Sequence, residues 1–458
     1  MNASHQVLLA NAAGMPYSPS ILFGGSEQGA WYDPSDVSTM FQDAAGTTPV
    51  TNVEQPVGLL QDKSGRGNHA SQTTLAARPV LSAKYNLLTY TEQFDNVVWG
   101  KFDSSITTGY ADPLGGTTAN KLQVTTASAP HALVYSVKFA TPISYTISVC
   151  AKAGEYTWCL LANTQTGGMY VNLATGALGT VNAGFTNASV TSLGSGWYRL
   201  SITFTGGTNR TFGIYPATGD GVVTFAGSNS TDGIYVWGAD LRVANDGVGL
   251  PSYQRVTTST DYDATGFVPY LRFDGVDDCL FTSTIDFTST DAMTVWAGER
   301  KLSDAAQGVI AELSGTIASN DGTFLLSAPN SAAANLNYSS KGTVLANNTV
   351  TTYTAPITNV ITGQSDISAD SNVIRVNGAV AATVSTDQGT GNFGNYAMYV
   401  GRRNNASLQF NGRIYSLIVR GAASTEAQVI KTENWINNKL IDSSLSSFDA
   451  GFDSGFGA

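Results

Sequence analysis

Short runs of β-forming residues, each closed by a turn residue, limit what this chain can fold into. Val373-Ile374-Arg375-Val376 runs straight into Asn377-Gly378, the strongest short hairpin signal. Ser144 to Ala153 alternates, with Ile147, Val149 and Ala151 on one face. Gly196 to Phe204, Ile234 to Leu241, Phe324 to Leu326, Ala397 to Gly401 and Phe410 to Val419 also read as strands. The residue balance agrees. The chain holds 48 glycines, and only eight of its 34 acidic residues are glutamate. The rest are aspartate, which serves turns where glutamate serves helices. With 42% apolar residues the chain is a packed all-β protein rather than a disordered one. At 458 residues it is too long for one ordinary core, and two or three domains are expected.

Two stretches divide the chain. The first carries Trp31-Tyr32-Asp33-Pro34-Ser35-Asp36, then Asp62-Lys63-Ser64-Gly65-Arg66-Gly67-Asn68-His69, then Arg78-Pro79-Val80-Leu81. The second is Tyr270-Leu271-Arg272-Phe273-Asp274-Gly275-Val276-Asp277-Asp278. Together they resemble the opening of a laminin-G/concanavalin A-like sandwich, in which the two turns follow each other closely. That resemblance implies one β-sandwich interrupted by an inserted β-domain. Such insertions are tolerated where a surface loop brings its ends together. The expected organisation is an N-terminal arm over 1–25, a discontinuous sandwich over 26–84 and 259–441, an insertion over 85–258 and a tail over 442–458. The arm either grips a neighbouring subunit or is an unordered terminus. The tail is either a docking peptide or a flexible end. One helix closes the sandwich, with Ser424 and Thr425 as capping hydroxyls, Glu426 in the first turn, and Val429, Ile436 and Leu440 near one face.

Inside the insertion, Gly154-Glu155 has the form of a two-residue hairpin turn. That register pairs Ala151 with Trp158, Val149 with Leu160 and Ile147 with Ala162, all facing the core. It also sets Cys150 opposite Cys159 as neighbouring free thiols. Thr175-Gly176 and Gly206-Gly207 are further turn signals. Three cysteines form neither a disulfide framework nor a zinc site. Tyr145-Thr146-Ile147-Ser148-Val149, Gly196-Trp197-Tyr198-Arg199 and Ile234-Tyr235-Val236-Trp237-Gly238-Ala239 resemble the carbohydrate-binding-module-like jelly rolls of tailed-phage head spike and fibre proteins. The resemblance implies a virion protein: a head fibre, spike or decoration protein, or a tail fibre, made in the host cytoplasm. It implies other capsid or tail proteins as partners and a homo-oligomer, with a trimer as one form. Val7-Leu8-Leu9-Ala10 lacks the flanks of a signal peptide, in keeping with that route.

Charge narrows the function. A net charge of −11 and a pI of about 4.7 exclude nucleic-acid wrapping and docking on anionic membranes. No apolar run reaches the ~20 residues of a membrane helix. No Glu-x-Asp-x-x-Glu strand supplies glycosidase carboxylates. His5, His69 and His131 read as arm, turn and surface histidines rather than triad members, so no catalytic residue and no cofactor is expected. Asp274, Asp277 and Asp278 are candidate ligands for Ca²⁺, against a role in capping backbone N–H groups. Glycan contact is the sharper expectation, because exposed aromatics can stack on the apolar face of a sugar. Trp158, Trp237 and Trp296 read as core; Trp99, Tyr110 and Tyr156, nearer loops, are the candidate contacts. A polysaccharide depolymerase and a purely structural virion subunit are the alternatives.

Overall fold

The computed structural model describes residues 17–440 apart from 138, 141, 165–166 and 208–210. The expected arm falls mostly outside these residues, as do His5 and the tail. The described chain is all-β with one C-terminal helix, and it divides into two compact units, Met1–Ala83 with Val268–Ala458 and Lys84–Phe267.

The discontinuous unit is a sandwich of two antiparallel sheets. One has eight strands, in the order Ala379–Val384, Ser371–Val376, Ile357–Asp366, Ala292–Lys301, Asn411–Arg420, Tyr270–Asp274 and Val80–Ser82, with Gly29–Tyr32 also on Asn411–Arg420. The other has nine strands, running from Met40–Phe41 through Leu280–Asp286 and Asn395–Val400 to Leu345–Thr351. Met293, Val295, Ala297, Leu326, Tyr338, Ile361 and Leu417 are part of the core between them.

Pairing explains how the divided signature works. Val80–Ser82 lies antiparallel to Tyr270–Asp274, with Leu81 opposite Leu271. These strands form a hairpin whose connection is the whole inserted unit. Loop-closure entropy grows only logarithmically with length, so a folded insertion costs such a hairpin little. The early turn is held by one carboxylate. Asp62 accepts bonds from the backbone N–H of Trp31, Ser64 and Asn68 and from the Ser64 hydroxyl. Gly65 and Gly67 take positive φ there. Lys63 pairs with Asp33 at 3.1 Å and Asp36 at 2.7 Å, joining the first two motif segments.

The helix Glu426–Leu440 begins with a capping box. The Thr425 hydroxyl accepts from Gln428 N at 3.3 Å, and the Gln428 amide oxygen accepts from Thr425 N at 2.9 Å. Thr425 is therefore the cap, while Ser424 receives a bond from Arg420. Val429 and Ile436 pack with Trp31, Trp296 and Ile418 on the outside of the eight-stranded sheet, with Leu440 at the margin.

The inserted unit is a second sandwich of two six-stranded antiparallel sheets. One runs Ala177–Val181, Gly167–Asn172, Trp158–Thr164, Phe212–Ala217, Ala132–Tyr135, Trp99–Phe102. The other runs Phe185–Gly194, Trp197–Thr205, Ser144–Lys152, Gly233–Val243, Ala119–Val124, Ser104–Tyr110. The insertion reaches Phe267 rather than residue 258, and its two ends meet where the Tyr85 and Phe267 rings lie 5.8 Å apart.

One sequence-derived register is wrong. Ser144–Lys152 pairs with Trp197–Thr205 and Gly233–Val243, whereas Trp158–Thr164 lies in the other sheet. The chain crosses between sheets at Gly154-Glu155, where Glu155 receives Gly233 N–H at 2.9 Å and pairs with Lys121. Cys159 and Leu161 face the core between the sheets, while Leu160 and Ala162 face outward with Trp158. Both faces of that strand are apolar, so alternation could not fix its register. Cys150 and Cys159 are both free and buried, but they belong to different sheets. Gly206-Gly207 likewise leads from one sheet to the other, not into a hairpin. Thr175-Gly176 and Asn377-Gly378 do close hairpins.

Candidate functional site

The outer face of the sheet built on Ser144–Lys152 carries a polar-walled surface cleft. Register places hydroxyl residues in rows across it. Ser189 is opposite Ser201, Ser201 opposite Ser148, and Ser148 opposite Asp240. In the next row Thr203 is opposite Thr146, and Thr146 opposite Arg242. After Val243 the chain turns back along this face, with positive φ at Asn245, Gly247 and Gly249. A cleft of about 450 Å³ lies between the rows and this return segment, walled by Asn245, Asp246, Val248 and Leu250. That volume is in the range of small-molecule sites, about 300–1,000 Å³.

Charged groups build the wall. The buried Arg199 guanidinium donates to Ser148 Oγ at 2.6 Å, to Ser252 O at 3.0 Å and to Gly238 O, and lies 5.3 Å from the Tyr253 ring. Arg242 meets Asp240 through two bonds of 2.8 and 2.9 Å, and Asp240 also accepts from Gln254 N. Arg199 thus gives both Nη groups to acceptors within the protein, and Arg242 gives its Nε and one Nη to Asp240. The cleft offers a ligand mainly hydroxyls. Those of Thr146 and Thr203 share a 2.9 Å bond. Among the described residues, the side chains of Ser189, Thr191 and Ser201 have no hydrogen-bond partner.

Farther along the same face, Ala119, Cys150, Trp197 and Trp237 form a buried cluster, with Tyr110, Tyr235 and Tyr253 around it. Tyr110 is half-buried, edge-on to Tyr235 at 5.0 Å. It thus shares the outer face with the cleft. Its neighbours across the sheet include Lys121, whose ammonium lies 5.6 Å from the Tyr235 ring.

The other two aromatic candidates differ. Trp99 is 1% exposed, so it is a core residue and not a glycan contact. It is boxed edge-on by Phe94, Tyr135 and Phe212, at 4.8, 5.0 and 5.6 Å, and its Nε1–H donates to Tyr90 O. Alternation along Trp99–Phe102 sends Trp99 inward and Phe102 outward, so the exposed ring of this strand is Phe102. Tyr156 is half-buried against the Phe225 ring at 4.9 Å. His131 is fully buried rather than superficial, its ring nitrogens 2.6 and 3.0 Å from the carbonyl oxygens of Asp103 and Phe225. His69 keeps a turn role, its Nδ1 accepting from Asp62 N.

The acidic turn brings Asp274, Asp277 and Asp278 together, with one oxygen from each within 4.8 Å of the others. Among the described residues it is the one group of three acidic, His or Cys ligands so arranged. Its oxygens also cap backbone: Asp274 accepts from Val276 N and Asp277 N, and Asp278 from Asp274 N. Three carboxylates suit the oxygen preference of Ca²⁺ but supply only part of its usual six to eight ligands. Burial, with the nearby Asp274 and Asp277 charges, pushes the Asp278 carboxyl up to about 7.

The sign of the pH effect follows. Between the unfolded value near 4 and about 7, the folded state holds a proton that the unfolded state has lost. The stability this group contributes is complete below pH 4 and lost as pH rises toward 7. We therefore expect Asp278→Asn to leave the urea midpoint of the discontinuous unit unchanged at pH 4 and to raise it at pH 8. An equal shift at both pH values would assign the effect to something other than this proton. A melting temperature at pH 8 unaffected by calcium or chelator would assign the turn to backbone capping alone.

No described helix is long and apolar enough to cross a membrane. No family model and no curated protein matches the sequence. Three structural likenesses are partial. The CBM40 domain of the Ruminococcus gnavus IT-sialidase matches at 16% identity over 32% of this chain and 84% of its own, with a TM-score of 0.27. A heptameric SAP-like pentraxin from Limulus polyphemus matches at 14% identity over 35% of this chain and 78% of its own, with a TM-score of 0.28. The binding domain of Botulinum Neurotoxin DC, in complex with SialylT, matches at 10% identity over 37% of this chain and 42% of its own, with a TM-score of 0.29.

Proposed function

We propose that this chain is a tailed-phage virion protein, a fibre, spike or decoration protein, whose inserted sandwich makes contact with glycan. The cleft across the hydroxyl rows carries the glycan reading. It is concave, polar and walled by a segment that internal Arg and Asp contacts hold in place. Hydroxyls carried at fixed register on a sheet suit sugar recognition, because little backbone ordering is required when the ligand arrives. With Arg242 charge-paired to Asp240 and the Asp240 and Asp246 carboxylates in the cleft lining, the ligand that fits is a neutral saccharide rather than an acidic one. The virion role rests on the sequence resemblance, which implies capsid or tail proteins as partners and a homo-oligomer. Its work is attachment and display, not catalysis.

A glycan array probed with the intact chain tests the cleft. Ser201→Trp fills the cleft floor from an outward-facing position and should weaken binding by about tenfold or more, equivalent to about 1.4 kcal/mol, with an unchanged melting temperature. Binding that survives the substitution removes the cleft. A reducing-end assay on bound polysaccharide should stay flat; released ends would establish a depolymerase instead. Gold-labelled antibody to residues 85–258 should decorate intact particles at the head or the tail tip. Unlabelled particles would overturn the virion role.

A further inference from the structure

The opposite sheet of the inserted unit carries a second concave surface. Along its edge strand Trp99–Phe102, Gly100 and Phe102 point outward while Trp99 enters the core. Gly100 is opposite Val134, and Val134 is opposite Gly213 on the next strand. Each glycine has an aromatic ring lying over it. A Cβ at Gly100 would sit 3.1 Å from Phe102 Cε2, and one at Gly213 would sit 2.7 Å from Tyr215 Cε2. The absence of side chains at these two positions lets both rings lie down along the sheet. Between them is a cavity of about 340 Å³, lined by Phe102, Asp103, Pro130, Ala132, Val134 and Tyr215.

Tyr215 is nearly covered, but Phe102 is 58% exposed. Beside it stands Asp103, exposed and at φ 45°. Its backbone is pinned by His131 Nδ1 and Thr125 N, which both contact the Asp103 carbonyl. Among the described residues the Asp103 carboxylate has no hydrogen-bond or ion-pair partner. The cavity therefore joins an open aromatic face to one free carboxylate carried on a pinned backbone. An apolar protein partner would fit the ring but would bury that carboxylate unpaired, at high cost. A pyranose satisfies both, with C–H groups on the ring and hydroxyls donating to Asp103 in charge-assisted bonds.

We propose that the Phe102–Asp103 cavity is a second saccharide site, for neutral hexose residues, on the sheet opposite the hydroxyl cleft. The two sites share no residue, so each stands or falls alone.

Saturation-transfer NMR of the full chain with maltotriose, cellotriose and triacetylchitotriose tests it. The wild type should show transfer to at least one of them. Phe102→Ala should reduce that transfer about tenfold, and Asp103→Asn about fivefold. Asparagine tolerates the positive φ of this position, so the second variant keeps the turn. All comparisons are made in the Ser201→Trp background, so that the cleft adds no transfer of its own. Transfer that persists in Phe102→Ala on the Ser201→Trp background, or that Ser201→Trp alone abolishes, would overturn this site while leaving the cleft. Absence of transfer from the wild type to any of the three trisaccharides would also overturn it.

Discussion

Trp99→Ala should lower the stability of the inserted sandwich by about 4 kcal/mol, in the range for removing a large buried aromatic. Three rings and one indole hydrogen bond depend on this side chain. The cavity left behind would be lined by Phe94, Tyr135 and Phe212, whose edge-on contacts contribute beyond area alone. Because the chain forms two compact units, the early loss should appear as a separate transition in urea. The transition of the discontinuous unit should keep its midpoint. Retained stability with lost saccharide binding would instead make Trp99 a contact residue.

Glu433→Ala should destabilise the discontinuous unit by about 3–5 kcal/mol, the cost of leaving a buried charge without its partner. Glu433 and Arg375 are each only 4% exposed in their side chains and meet through bonds of 2.8 and 3.1 Å. Glu433 also accepts from Thr362 Oγ1 at 2.8 Å. Removing the carboxylate leaves the buried guanidinium with only Glu426 and the Gly378 carbonyl as partners. The double variant Arg375→Met, Glu433→Leu should recover most of the loss, because an apolar pair avoids both desolvation penalties. Failure of the double variant to recover would show that the pair contributes net stability. Chemical denaturation with paired midpoints and slopes measures both effects.

Local signals that carry their own geometry were legible in the sequence. Asn377-Gly378 closes its hairpin with both residues at positive φ, as that dipeptide favours. Ile147, Val149 and Ala151 face the core because alternation within one strand is set by the backbone. The Asp62 turn formed as its residues imply, since a carboxylate and two glycines suffice to fold it. The helix kept its cap and its apolar face.

Partner choice between strands was not legible. Gly154-Glu155 has hairpin composition, yet the chain there passes from one sheet to the other. The flanking strand Trp158–Thr164 is apolar on both faces, so no register was favoured locally. The same limit misplaced Trp99. Its position beside a loop suggested exposure, whereas pairing with Ala132–Tyr135 put it in the core and Phe102 outside. The cleft was invisible for a related reason. Ser148, Ser189, Ser201, Thr146 and Thr203 come from three strands, and no one of them is unusual in its own segment. By itself the sequence determined the all-β class, the Asp62 and Asn377-Gly378 turns and the division of the signature, because these follow from residues a few positions apart. Only the tertiary structure decided which faces became core, cleft or exposed aromatic cavity, because those depend on the contacts strands distant in sequence make with one another.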